Sequence, residues 1–307
     1  MEKWWSAMTS STGKPQYIAR RALTLLLAVV IILSAFGGCN RKDPADDVTL
    51  TWPEGMSPSQ SESPGEDDPD EPDKGFVPHS APQSFATQIA EFKSKNADAV
   101  GWLYLPDTTI NEVVVQDETG NEKYHRADAT GKYDFNGCLY ADYESRIAGN
   151  ADQISPNIVI YGHSMTDTPE SAKDEKKFTP LKKLLDKDFA EKHPYIYFSS
   201  ETQDYVYEIF AAMYCNSDKF NYIDCNFELT SQADLVNTAK EGSIFNYPVE
   251  VDEDDKIISL STCTYKFGDE KNTKQRFVVF GRLLSKSDEM PETVTLTENP
   301  APKMPTF

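Results

Sequence analysis

The chain has 307 residues, of which 50 are Asp or Glu and 30 are Lys or Arg, giving a formal net charge of −20. So acidic a surface lacks the cationic footprint that phosphate backbones require, which argues against nucleic acid as a partner. At 39% hydrophobic and 11% aromatic it can bury a real core, and five Cys with no CxxC pair argue against a disulfide-stapled miniprotein and a zinc ribbon.

Taken in chain order, residues 1–21 carry Lys14, Arg20 and Arg21 ahead of an uncharged, mostly apolar run from Ala22 to Gly38. The run is near the lower limit of the roughly 17–25 residues that span a hydrocarbon core, and longer than the roughly 7–15 of a cleaved signal core. The flanking charge predicts a cytoplasmic N-terminal segment and a membrane anchor over residues 22–39, with the rest of the chain outside, although Arg41 and Lys42 follow the run. Gly37 and Gly38 directly before Cys39 resemble the lipobox of bacterial lipoproteins, with Phe36 a mismatch, so a lipidated Cys39 is the alternative tether. Residues 40–82 are rich in Pro, Ser, Asp and Glu, which leaves too little apolar surface to offset ordering entropy and predicts a disordered linker. Residues 287–307 have the same character and are expected to form a flexible tail, leaving one catalytic-sized domain over residues 83–286.

Within that domain, Ser84 to Asn96 spaces Phe85, Ile89 and Phe92 as one helical face, with Ser84 as a cap. Strand patterns follow at Gly101–Pro106, Glu112–Gln116, Gly137–Asp142, Asn157–Tyr161, Tyr195–Ser199, Tyr205–Cys215, Lys256–Leu260 and Arg276–Leu284. Two helical insertions interrupt them. Phe178–His193 carries Leu181, Leu184, Leu185 and Phe189 as a stripe, and Ser231–Glu241 has a Ser cap and an apolar side of Leu235, Val236 and Ala239. The fold predicted is mainly β, a barrel or sandwich of eight short strands with peripheral helices.

Three polar residues fall at strand ends. Cys263 closes the strand that begins at Lys256, His163 follows Asn157–Tyr161 after Gly162, and Arg276 begins the strand after Cys263. A thiol near pKa 8.5 is only a few per cent thiolate at pH 7, and a neighbouring imidazole can both stabilise the thiolate and protonate a leaving amine. A guanidinium stays charged and carries its donors in a fixed fork, suited to a tetrahedral oxyanion. The trio would make an acyl-transfer site without metal or cofactor, yet by spacing alone a Cys at a strand end is more often an inert thiol.

The surrounding words are more specific. NIVIYGHSM around His163, LSTCTY around Cys263 and RFVVFGRL from Arg276, in that order, resemble the three signature segments of the sortases, the cysteine transpeptidases of Gram-positive cell surfaces. The upstream VGWLYLPDTTI and VVVQ are similar to the sortase entry strands, and the helices before Val100 and at Ser231–Glu241 resemble class B. Ser259 stands where the general pattern has Thr, and Arg282 matches the Gly-Arg-Leu end of the third segment and is the alternative to Arg276.

The resemblance implies a closed eight-stranded sortase-type β-barrel and a cysteine transpeptidase of the thiol-protease class. Cys263 would be the nucleophile, His163 the acid and base, and Arg276 the oxyanion or substrate clamp. The expected partners are secreted proteins bearing a C-terminal sorting signal, cleaved after Thr, and a peptidoglycan amine that accepts the acyl group. Tyr222 and Ile223, in the long connection from Asn216 to Pro248, are expected to line the peptide groove or simply to pack that insertion. Ser261 and Thr262 are expected to hydrogen-bond the peptide backbone. Cys138, Cys215 and Cys225 read as buried thiols, with a Cys215–Cys225 disulfide as the alternative; His79 falls in the linker, and His125 and His193 read as solvated. Two other readings stay open: a cysteine peptidase that hydrolyses the same intermediate, and a tethered binding lipoprotein with an inert Cys.

Overall fold

The computed structural model describes residues 76–164, 176–268 and 274–307. The basic N-terminal segment, the apolar run with Cys39 and most of the acidic linker lie outside the described residues. Among those described, no helix is long and apolar enough to cross a membrane.

Eight strands close into a barrel. They are β1 (Ala99–Tyr104), β2 (Asn111–Val115), β3 (Leu139–Ala141), β4 (Asn157–Tyr161), β5 (Tyr195–Ser199) and β6 (Asp204–Asn216), followed after an insertion by Ile257–Cys263 and Gln275–Leu283. The insertion contributes a further short strand, β7 (Phe245–Asn246), so the last two barrel strands are β8 (Ile257–Cys263) and β9 (Gln275–Leu283). The order around the barrel is β1-β2-β3-β4-β8-β9-β6-β5. The eight predicted strands are these eight, with their ends moved by a few residues.

β4 and β8 run parallel, and both are covered on two sides. Their sequences therefore read as continuous apolar runs rather than alternating ones, and Ile158, Val159, Ile160, Ile257, Ile258 and Leu260 are all buried. The core is strongly aromatic: Phe198, Tyr205, Tyr207, Phe210, Phe277 and Phe280 are enclosed, with Phe210 and Phe280 5.9 Å apart between ring centroids. Truncating one such ring to Ala costs about 3–5 kcal/mol, so the barrel wall is held mainly by this packing.

Helix α1 (Ala86–Lys93) lays Phe85 and Ile89 on β1, where Phe85 stacks on Trp102 at 5.6 Å. Phe85 holds the N-cap position, one residue after the expected Ser84. The segment 178–193 is not one helix. A 3₁₀ stretch, Thr179–Leu185, gives way to α2 (Lys187–Lys192), because Asp186 is extended and its carboxylate accepts the Phe189 N–H at 2.9 Å, capping a new helix. Helix α3 (Gln232–Gly242) has the expected Ser231 cap, accepting from Asp234 N at 3.1 Å, and buries Leu235, Val236 and Ala239.

Both expected boundaries move outward. Pro78 bridges to Ser285, and His79 N–H donates to Leu284 O at 2.9 Å, so part of the predicted linker pairs with the end of β9. Residues 287–307 depart from the flexible tail expected of their composition. Thr297–Glu298 form β10 beside β7, Leu296 is buried, Lys303 N–H donates to Glu241 O, and Asn216 Nδ2 donates to Thr306 O at 2.8 Å. Single apolar side chains spaced along an otherwise polar segment show no periodicity, yet Leu296 is buried beside the chain's other elements.

Candidate active site

Three neighbouring strands deliver the three residues. β8 pairs antiparallel with β9 so that Cys263 lies opposite Arg276, and pairs parallel with β4 so that Tyr161 lies opposite Ser261. Two residues past that last parallel pair, His163 and Cys263 share one end of the barrel, in rows about 5 Å apart as neighbouring strands are. The turn carrying His163 is tied to the cysteine strand twice: Thr262 Oγ1 donates to Gly162 O at 2.7 Å, and Gly162 N–H donates to Ser261 O at 3.2 Å. Gly162 admits no side chain there, since a Cβ would stand 2.6 Å from Leu139 Cδ2 and 2.7 Å from Phe178 Cγ. On the far side of the turn, Phe178 N–H donates to His163 O at 2.9 Å and the buried Lys182 donates to Ser164 Oγ at 2.8 Å.

The cysteines separate cleanly. Cys138, Cys215 and Cys225 are buried free thiols, and burial pushes each of them up to about 12. Cys263 is also free and is the only described cysteine partly open to solvent. A thiol kept from ionising by burial is a poor nucleophile, so exposure singles out Cys263.

The His163 imidazole is half-buried, and its Nε2 lies 2.8 Å from the carbonyl oxygen of His125. Burial lowers its pKa; the His125 carbonyl works the other way, while His125, Arg126 and Arg276 lower it further. Burial works against the charged form of Arg276, but Cys263, Tyr222, Cys215 and Tyr140 more than offset it and leave the guanidinium pKa raised. Arg276 is thus within electrostatic reach of both Cys263 and His163. Arg282 lies opposite Ile257, about 20 Å along the strand at 3.3 Å per residue, among Glu208, Asp255 and Asp288 at 3.4–3.9 Å. The geometry brings Arg276 to the thiol and leaves Arg282 at the other end.

The four expected peptide contacts divide differently. Tyr222 is buried, its hydroxyl 2.8 Å from Ser261 Oγ and its ring 5.9 Å from that of Phe220. Ser261 and Thr262 are equally enclosed, and their hydroxyls are engaged by Tyr222 and by the Gly162 carbonyl. These three side chains hold the strand in place behind the thiol, while Ile223, 42% exposed, is the one open to a ligand. The connection after β6 does cover the Ser259–Ser261–Cys263 face of β8, because Asn157 accepts from Ser259 and donates to Tyr222 O and Asp224 O.

Sequence reasoning missed several neighbours. Tyr140 on β3 is near enough to Cys263 to feel its charge, with burial the larger cause of its raised pKa. His125 keeps an exposed face, but its ring meets that of His163 edge-on with centroids 4.6 Å apart. His193 is not solvated: it stacks on Phe189 and lies 2.8 Å from Asp107, far from the thiol in sequence and site. Apart from the Phe189–His193 stack, four residues apart in one segment, only the pairing of distant segments reveals these contacts.

A closed eight-stranded barrel with a cysteine, a histidine and an arginine on adjacent strand ends defines a cysteine acyltransferase of the sortase type. The sortase domain model matches residues 103–284, more than half of the chain, so the chain belongs to the sortase family. Its relatives place it in class B. Sortase B of Listeria monocytogenes is 32% identical over 200 residues, covering 65% of this chain and 75% of that protein, and sortase B of Staphylococcus aureus is 28% identical over 201 residues. The solved Staphylococcus aureus sortase B–substrate complex superposes with a TM-score of 0.55 at 27% identity, covering 67% of this chain and 88% of that one. The chain is accordingly a sortase-type cysteine transpeptidase.

Proposed function

We propose that Cys263, His163 and Arg276 carry out transpeptidation on secreted proteins that bear a C-terminal sorting signal. The Cys263 sulfur attacks the carbonyl carbon of a Thr in that signal, and Arg276 holds the resulting oxyanion. The C–N bond then breaks, the leaving amine takes a proton from His163, and a thioester remains on Cys263. An incoming amine of the peptidoglycan attacks the thioester and yields its proton to His163, and the Cys263 thiolate departs from a new amide. An imidazolium held in a partly dry, cationic surrounding gives up its proton readily, which suits the first step.

The observation that carries this reading is the one solvent-accessible thiol among the described cysteines, set across a strand pair from a guanidinium whose charge also reaches the His163 imidazole. The neighbouring sortase B structures support the substrate class, one being a substrate complex and another a complex with triglycine. We place the tether in residues 22–39, either as an uncleaved anchor or through lipid on Cys39, with the catalytic domain outside the cell membrane. Mass spectrometry of the mature N-terminus distinguishes the two.

The test is cleavage of a panel of sorting peptides, including ones that begin Asn-Pro and are cut after Thr, with and without an added amine. Cys263→Ala is expected to abolish cleavage and a thioester adduct, and the wild type to give amide in preference to acid. Acid alone in the presence of amine would identify a hydrolytic peptidase, and full activity of Cys263→Ala would remove the assignment altogether.

A further inference from the structure

His163 is held by a turn that the proposed reaction does not by itself explain. Its Nε2 faces a peptide carbonyl, that of His125, at 2.8 Å. A carbonyl only accepts, so Nε2 carries the proton in the neutral ring and Nδ1 is left as the basic nitrogen. The carbonyl belongs to a single 3₁₀ turn, Lys123–Arg126, and the turn is anchored from below by Tyr124.

Tyr124 is buried, its hydroxyl donates to Asp98 Oδ2 at 2.6 Å, and it accepts from Asn96 Nδ2 at 2.7 Å. Asn96 also donates to Ala129 O at 2.7 Å, and Lys123 pairs with the same Asp98 carboxylate, so the start of the turn and the segment just after it are bound to the loop before β1. From above, Gly137 presses on the same atoms. A Cβ there would stand 2.8 Å from His125 O, 2.9 Å from Tyr124 O and 3.1 Å from His163 Cδ2, and its φ of +61° favours glycine in any case.

We propose that Tyr124 is a positioning residue for His163, clamping the turn so that the His125 carbonyl holds Nε2–H and proton exchange with sulfur and amine is confined to Nδ1. The proposal rests on the reading of His163 as the proton-transfer group. It assigns His125 a backbone role, although its imidazole lies against that of His163. The charged and titratable groups facing His163 are His125 and Arg126 on this turn and Arg276 on β9.

The experiment compares full-length wild type with Tyr124→Phe, Asp98→Asn, His125→Phe and His163→Ala. It reads kcat and KM against pH with an Asn-Pro…Thr peptide, and the ¹⁵N shifts of the His163 ring. Tyr124→Phe and Asp98→Asn are expected to lower kcat three- to tenfold with KM within twofold, to move the acid limb of the profile, and to mix the two neutral tautomers. His125→Phe, which keeps the carbonyl and an aromatic edge, is expected to keep the single neutral tautomer of His163 and, having lost a positive neighbour, to move the profile toward higher pH. Unchanged tautomer and pH profile in both anchor variants, with only their melting temperature lowered, would overturn the proposal. So would a His125→Phe variant as dead as Cys263→Ala, since the second imidazole would then be doing the chemistry. If His163→Ala itself retains activity, the reading of the site fails instead, which keeps the two failures apart. Should Tyr124→Phe not fold, Asp98→Asn alone carries the comparison.

Discussion

The two arginines of β9 allow a sharp separation of chemistry from stability. Arg276 lies opposite Cys263, whereas Arg282 lies opposite Ile257 within 3.9 Å of Glu208, Asp255 and Asp288. Replacing Arg276 by Met removes donors from a developing oxyanion, a loss of about 10²–10³ in kcat. Replacing Arg282 by Met leaves a group of carboxylates without their shared cation, and breaking such a partly buried arrangement costs about 3 kcal/mol. For a domain of roughly 200 residues that is about 6–12 °C in melting temperature. Burial already raises the pKa of Glu208 and Asp255, with Arg282 pulling against it, so without Arg282 both rise further. The stability deficit of Arg282→Met is therefore largest at neutral pH and shrinks as the pH falls and the carboxylates protonate. Thermal melts from pH 4 to 8, with peptide turnover corrected for folded fraction, check both halves. Near-wild-type turnover in Arg276→Met, or lost turnover in a still-folded Arg282→Met, would refute the assignment.

Three further outcomes are expected. His163 has a folded pKa held below its unfolded value near 6.5 by burial and neighbouring cations, so its contribution to stability is present above about pH 6.5 and is lost as the pH falls through the folded value. Melting temperature measured against pH should flatten in this window in His163→Gln. Tyr207 is fully buried, and among the described residues its hydroxyl has no hydrogen-bond partner, so Tyr207→Phe should gain about 1 kcal/mol in denaturant unfolding. Mild iodoacetamide treatment of the native protein should alkylate Cys263 well before Cys138, Cys215 or Cys225, read by peptide mass spectrometry.

The barrel was legible because its strands advertise themselves. The continuous apolar runs of β4 and β8 and the Ser-capped stripe of α3 are local patterns imposed by burial, and the structure reads them the same way. The three words that carry His163, Cys263 and Arg276 stand in order, and the structure sets Cys263 opposite Arg276. What could not be read was anything depending on two distant segments: the Asp98–Tyr124 clamp, separated by 26 residues, or the Tyr222–Ser261 hydroxyl pair, separated by 39. The tail misled for a related reason, since Leu296 is buried by contacts from elsewhere in the chain and not by any pattern of its own. Ser261, Thr262 and Tyr222 were expected to meet the peptide, but proximity in sequence could not show that their hydroxyls were already engaged within the protein.

The charge balance, so prominent in the composition, says little about the chemistry. Seven acidic residues between Glu62 and Asp73 lie in the linker, outside the described residues. At the site the sign reverses: the charges that act on His163 come from Arg126 and Arg276 and from a second histidine, and a peptide carbonyl orients its ring where a carboxylate could have served. A carboxylate in that place would stabilise the imidazolium and weaken it as an acid toward the leaving amine. A carbonyl fixes the tautomer while leaving the cation without a counter-charge, and the same positive surroundings favour an oxyanion. The chemistry proposed for the site, expelling an amine and holding an oxyanion, is served by that local polarity, whatever the net charge of the chain that carries it.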